Sequence, residues 1–216
     1  STSPSATLPF PDSGRYTVYA RIFDKDNGFS EYHTEITVNN LTPTATLVVP
    51  ATVAEGGNLT ASLAGATDAS TTDVTVGLRY SFALNSSAEL AGDYASASAS
   101  PSSTPFSFPN SGPATVFARI FDKDGAVGNY QTAITVLNVA PQGSLSSGPI
   151  NEGGSVGFSN ISDPSPQDTL VGFHYSLALS LAEVALSPAE LDLVLSHAVS
   201  TTNPNLTIAD NGTFTV

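Results

Sequence analysis

One seven-residue string occurs twice without change, as Ala20-Arg-Ile-Phe-Asp-Lys-Asp26 and as Ala118-Arg-Ile-Phe-Asp-Lys-Asp124, 98 positions apart. An identity of that length makes the chain a repeat array, and its period bounds the folding unit. The register extends both ways at the same spacing. Phe10-Pro-Asp-Ser-Gly14 answers to Phe108-Pro-Asn-Ser-Gly112, and Ile36-Thr-Val38 to Ile134-Thr-Val136. Further along, Glu55-Gly-Gly57 matches Glu152-Gly-Gly154, Asp68 matches Asp163, Asp73 matches Asp168, and Gly77-Leu-Arg-Tyr-Ser81 matches Gly172-Phe-His-Tyr-Ser176. Residues 1–40 read as the closing strands of one repeat, 41–138 as a complete repeat and 139–216 as a third that lacks its last strands. Such a window is expected from a longer array; the alternative is that another copy supplies the missing strands head to tail, building a fibre.

Within a repeat the period is two. Tyr16, Val18, Ala20 and Ile22 alternate with Thr17, Tyr19 and Arg21, and Ile36 and Val38 with Glu35 and Thr37. This predicts strands with one buried and one wet face. Asp24-Lys-Asp-Asn-Gly28 and Asp122-Lys-Asp-Gly125 have the Gly and Asn/Asp content of a hairpin loop. Short strands over 44–49, 59–63 and 78–83, separated by Pro, Gly-Gly and Asp-rich turns, bring the count to about seven in ~97 residues, the size of an immunoglobulin-like sandwich. Helical signals fall after the third strand, at Ser86-Ser-Ala-Glu89, Ser180-Leu-Ala-Glu183 and Ser187-Pro-Ala-Glu190. Each is a Ser-x-x-Glu capping box, which predicts one or two short helices there. Ala95-Ser-Ala-Ser-Ala-Ser-Pro101 reads as an exposed loop.

Together, Gly14-Arg-Tyr-Thr-Val18, the Asp-Lys-Asp-Asn-Gly loop, the Ile-Thr-Val strand, the Asn-x-x-Pro spacing from Asn40 to Pro43 and from Asn138 to Pro141, and Glu-Gly-Gly resemble the tandem PKD-type, immunoglobulin-like repeats of large bacterial (planctomycete-like) surface and secreted proteins. The resemblance covers nearly the whole chain. It implies an all-β array of non-catalytic β-sandwiches, used extracellularly or at the cell surface as a stalk, adhesive layer, spacer or fibre, often with calcium at the poles. Two departures stand out. The family's Trp-x-Phe-Gly-Asp-Gly strand is here Tyr80-Ser-Phe-Ala-Leu84, and the Tyr of the late strand is Ala114 or Phe214 in the other repeats.

Charge narrows the partners. Nineteen acids against six bases give a formal net charge of −13. The bases, Arg15, Arg21, Lys25, Arg79, Arg119 and Lys123, form no cluster suited to phosphate, so nucleic acid and anionic membrane surfaces are excluded as expected partners. Without Cys there is no disulfide framework, thiolate nucleophile or thiolate metal site. No apolar run approaches the ~20 residues that cross a bilayer as a helix.

If the strands run alternately up and down, Asp68 and Asp73, the Asp122 and Asp124 of the hairpin loop, and the entering linker with Asn39 and Asn40 share one pole. Crowded acids repel one another unless a cation offsets them, and Ca²⁺ takes six to eight oxygens of this mixed kind. The next pole would draw on Glu55, Asn138, Asp163 and Asp168, with the hairpin loop of that repeat expected beyond Val216 and the site incomplete without it. The competing reading is that Asp-x-Asp-Gly is only a good turn with solvated carboxylates. His33, His174 and His197 have no Ser or Asp at an informative spacing and read as surface residues. Lys25 and Lys123 recur at one position, flanking a loop, where they do not suit isopeptide chemistry. Asn-x-Ser/Thr sequences begin at Asn40, Asn58, Asn85, Asn160, Asn205 and Asn211, compatible with surface glycans. The leading expectation is a structural, non-enzymatic segment whose partners are neighbouring repeats and other copies of the chain. The alternative is a set of spacer or carbohydrate-binding modules of a secreted hydrolase, although with no Trp and seven Tyr the chain offers few sugar platforms.

Overall fold

In a computed structural model of the protein, residues 3–146, 155–175 and 205–207 are described. The chain forms two compact units. The first comprises Ser1–Val53, Asn58–Ser107 and Pro113–Thr135; the second comprises Ala54–Gly57, Phe108–Gly112 and Val136–Val216.

The elements of the first unit and its margins are strands β1 (Gly14–Phe23), β2 (Phe29–Val38), β3 (Thr44–Val48), β4 (Thr52–Ala54), β5 (Asn58–Leu59) and β6 (Ser62–Thr67), a short helix α1 (Thr71–Val76), and strands β7 (Arg79–Leu84), β8 (Phe106–Ser107), β9 (Gly112–Phe121) and β10 (Val127–Leu137). A four-stranded sheet runs β4-β10-β9-β7, while β3 pairs with β6 and β5 with β8. Leu63 of β6 meets Tyr80 of β7 and Ala118 and Ile120 of β9 in a buried cluster, with Ala45, Leu47, Ala66, Leu78, Phe82 and Tyr130 packed against it. This is the all-β, immunoglobulin-like sandwich that the strand count and alternation predict: Ala114, Val116, Ala118 and Ile120, two apart along β9, are all buried. The second unit contains β11 (Gln142–Leu145) antiparallel to β12 (Ser155–Ser162), a short helix α2 (Pro166–Val171), and β13 (Asn205–Thr207) on the far side of β12.

Three sequence readings are corrected. The strand expected over 59–63 divides at Thr60 and Ala61, because β5 hydrogen-bonds to β8 and β6 to β3. Ala61 N donates instead to Ser103 Oγ at 3.0 Å. The 95–101 segment is not simply an exposed loop: Ala97 is buried, and Ser98 exchanges both backbone bonds with Tyr80, at 2.7 and 2.8 Å, along the edge of β7. Small alternating side chains suit that close approach. Finally, helices precede the third strand as well as following it. Ser86 caps a single 3-10 turn, Ser87–Glu89, whereas α1 lies between β6 and β7 and α2 occupies the matching place in the third repeat. The capping boxes at 180–183 and 187–190, and His197, lie outside the described residues.

The two copies of the seven-residue string share a hairpin but differ in environment. In β1–β2 all ten pairs from Gly14↔Val38 to Phe23↔Phe29 form, and no third strand is added among the described residues. The buried face predicted for Ala20 and Ile22 is absent in this copy: Ile22 is 66% exposed and Phe23 63%, against 0% for Ile120 and 1% for Phe121. The alternation is intact; among the described residues, the strands that cover it in the second copy have no counterpart beside the first.

Candidate metal centre

The two short helices begin identically. Asp68 Oδ1 accepts from Ser70 N at 2.7 Å, and Ser70 Oγ accepts from Asp73 N at 3.0 Å while donating to Pro11 O at 3.0 Å. In the third repeat, Asp163 Oδ1 accepts from Ser165 N at 2.7 Å, and Ser165 Oγ accepts from Asp168 N at 3.1 Å while donating to Pro109 O at 2.9 Å. A serine at N-cap satisfies an orphan amide of the first turn, and its own hydroxyl proton is left to bind a carbonyl. Here that carbonyl belongs both times to the Phe-Pro-Asp/Asn-Ser-Gly turn of the preceding repeat. Each serine thus fixes a pair of aspartates, 68 and 73 or 163 and 168, against that turn.

At the first of these turns the structure brings Asp68, Asp73 and Asp122 together, with one oxygen from each lying within 4.8 Å of the others. Asp122 commits Oδ1 to closing its loop, accepting from Asp124 N and Ala126 N at 2.9 Å each. Its Oδ2 accepts from Asn40 Nδ2 at 2.9 Å, which accounts for Asn40. Asp24 closes the equivalent loop in β1–β2 with bonds of 2.9 and 2.7 Å from Asp26 N and Gly28 N. The Asp-x-Asp loop is therefore a good turn on its own, and its first carboxylate does turn work even where other acids stand nearby.

Asp124 faces the other way, toward Asp73 and Asp12. Lys123 lies among them, with Nζ at 2.6 Å from Asp124 Oδ2, 2.8 Å from Asp12 Oδ2 and 3.2 Å from Asp73 Oδ1. Hydrogen bonds donated to Asp12 and Asp124 raise the ammonium's pKa well above the usual lysine range, and the same lysine lowers that of Asp12. Asp73 moves upward: its burial outweighs the help of Ser70 and of Lys123, whose ion pair at 3.2 Å is the nearest contact of its carboxylate among the described residues.

The second cluster joins Glu55, Asp163 and Asp168, again within 4.8 Å. Glu55 is 2% exposed. Its backbone N donates to Leu137 O at 2.9 Å and its Oε1 accepts from Val139 N at 2.6 Å, but Oε2 is buried without a hydrogen-bond partner. Gly56 makes this possible. With φ of +71°, it brings the chain so close to Pro164 that a Cβ would lie 2.6 Å from Pro164 Cβ and 2.7 Å from its carbonyl. Among the described residues, no ion pair joins a Lys or Arg to Glu55, Asp163 or Asp168. Asn138 is exposed and stands outside the cluster.

The sequence reading does not single out Asp12, Lys123, Ser70 or Ser165 as site residues. Their signals lie in Ser70-x-x-Asp73 and in Ser165-Pro-x-Asp168 with Pro at the first helical position, and in the recurrence of Phe-Pro-Asp/Asn-Ser-Gly. The donors in both clusters are oxygens alone, which suits a hard cation and not zinc or copper. His33 and His174 are exposed and take no part.

No family model matches the sequence. No curated protein matches it. Among solved structures, the chain is similar to the fibronectin(III)-like modules of CbhA from Clostridium thermocellum, with 20% identity and a TM-score of 0.36 over 58% of this chain. It spans 64% of that chain, less than two thirds of its length.

Proposed function

We propose that the protein is a non-catalytic, PKD-type structural segment of a long extracellular repeat protein, serving adhesion, a surface layer or a fibre, and that Ca²⁺ bound between the linker end of one repeat and the first helix of the next stiffens the array. The observation that carries this reading is Glu55: a buried carboxylate with one oxygen unpartnered, set against Asp163 and Asp168. An uncompensated buried carboxylate is costly, and two half-buried carboxylates beside it add to that cost. A divalent ion would take Glu55 Oε2, Asp163 and Asp168 as ligands and offset two of their three charges. Linkers between modules leave them free to bend by default, since interfaces within a chain are small. An ion held jointly by the linker end and the helix would remove that freedom. Extracellular calcium modules commonly bind at 10⁻⁴–10⁻³ M, where such an ion is available outside the cell.

A site that exists only in the native state raises the melting midpoint with the logarithm of free calcium. With calcium about a hundredfold above its dissociation constant, the full chain should melt roughly 5–10 °C higher than in chelator. Glu55→Gln, which keeps the shape and the bond to Val139 N, should lose most of that shift. An unchanged midpoint in the wild type would overturn the calcium reading and leave the Asp-x-Asp loops as plain turns.

A further inference from the structure

Among the described residues, five carboxylates gather at the first turn and one ammonium answers them. They fall into two triads that share Asp73: Asp12, Asp73 and Asp124 form one, and Asp68, Asp73 and Asp122 the other. Lys123 belongs to the first triad, with Nζ within 2.6–3.2 Å of all three of its acids. No ion pair among the described residues reaches Asp68 or Asp122. One triad thus has its cation built in, and the other consists of acids alone.

Burial makes the second triad costly as it stands. Asp73 and Asp122 are both 0% exposed. Asp73 Oδ1 meets the Lys123 ammonium, but its Oδ2 is buried with no hydrogen-bond partner, and so is Asp68 Oδ2. The cap and the loop do not use these two atoms. Asp68 accepts from Ser70 N through Oδ1, and Asp122 closes its loop through Oδ1. An anionic oxygen sealed from water without a donor is the expensive case, and a second in the same triad adds like-charge repulsion. Asp122 Oδ2 accepts from Asn40 Nδ2 at 2.9 Å and keeps a further lone pair. Carboxylate oxygens alone suit a hard divalent ion. We propose that Asp73 is the shared wall of a two-cation site: the Lys123 ammonium fills one half, and a hard divalent cation binds in the other, held by Asp68, Asp73 and Asp122 with an affinity that the ammonium sets. Lys123 takes Oδ1 of Asp73 and leaves Oδ2 to the ion. Two cations at such close range repel, so the ammonium weakens the ion's hold while it keeps Asp12 and Asp124 occupied. The site has no residue in common with the Glu55 cluster and does not depend on it.

The test is a calorimetric calcium titration of the full chain carrying Glu55→Gln, which disables the other cluster. Weak calcium binding should remain. Adding Asp68→Asn, which keeps an acceptor for Ser70 N, should lower the remaining affinity by at least about tenfold. Lys123→Gln should instead raise it by about tenfold, the order expected when a like charge a few ångströms away is removed. Asp26→Asn, an exposed acid outside both triads, should leave it unchanged. Asp68→Asn decides the ligand set even if Lys123→Gln does not fold. A Glu55→Gln chain that binds no calcium at millimolar concentration, or binding that Asp26→Asn weakens as much as Asp68→Asn does, would overturn the site. A folded Lys123→Gln chain that binds no more tightly would overturn the part given to the ammonium. Binding lost entirely with Glu55→Gln leaves the Glu55 reading standing without this one; binding that Glu55→Gln does not touch and Asp68→Asn removes does the reverse.

Discussion

The turn at Pro11 and the turn at Pro109 are built alike and neutralised differently. Both receive a helix-capping serine hydroxyl, and both hold one aspartate two residues before that serine and another in the helix's first turn. At Pro11 the excess charge meets Lys123, whose ammonium touches Asp12 and Asp124 and approaches Asp73. At Pro109 the position of Asp12 is Asn110, the third acid is the buried Glu55, and no lysine is present among the described residues. The backbone device is thus separate from the charge it gathers. Among the described residues, the acids at the first turn are met by Lys123 and those at the second by no base.

Removing Lys123 should make the first turn resemble the second. Lys123→Ala should lower the melting midpoint in chelator by several degrees, and calcium should restore more of that loss than it adds to the wild type; thermal melts in both buffers measure it. Equal losses with and without calcium would separate the two turns for good. The shared device is tested next by Ser165→Ala, which deletes an N-cap bond and the bond to Pro109 O. The expected cost is about 1 kcal/mol, or roughly 2–4 °C in midpoint, for either turn's serine. A smaller effect of opposite sign is expected of Asp73→Asn. Burial raises the pKa of Asp73 above 3.8, so the native state binds this proton more readily than the unfolded chain. Its ionised form therefore costs stability above the folded pKa, and that cost fades as pH falls toward the unfolded value. In chelator at pH 7 the variant should be the more stable protein, and denaturant titrations at decreasing pH should show the difference closing.

Much of this architecture is legible in the amino-acid sequence. The alternation of Val116, Ala118 and Ile120 marks a buried face, and the 98-residue register places the hairpins and the turns. The meeting of Asp68, Asp73 and Asp122, and of Glu55 with Asp163 and Asp168, follows from alternating strands that return loops to one pole. Partnership is not legible in the same way. Ala20-Arg-Ile-Phe23 and Ala118-Arg-Ile-Phe121 are the same string, and only the strands around the second bury it. Nor does sequence say that Lys123 folds back onto Asp12, 111 positions away, while among the described residues Lys25, at the matching place, pairs with Asp26. The two short helices escape a sequence reading for a local reason: Ser-x-x-Asp caps a helix as Ser-x-x-Glu does, but within an Asp-rich turn it looks like more turn.

The central claim is that the Glu55 cluster binds calcium, more tightly than the cluster beside Lys123. Its most direct test is a calorimetric calcium titration of the full chain next to Glu55→Gln. The wild-type isotherm should contain a tighter step that Glu55→Gln removes, while any weaker binding at the lysine-balanced turn survives. Identical isotherms for the two proteins, or no heat of binding from the wild type at millimolar calcium, would contradict it.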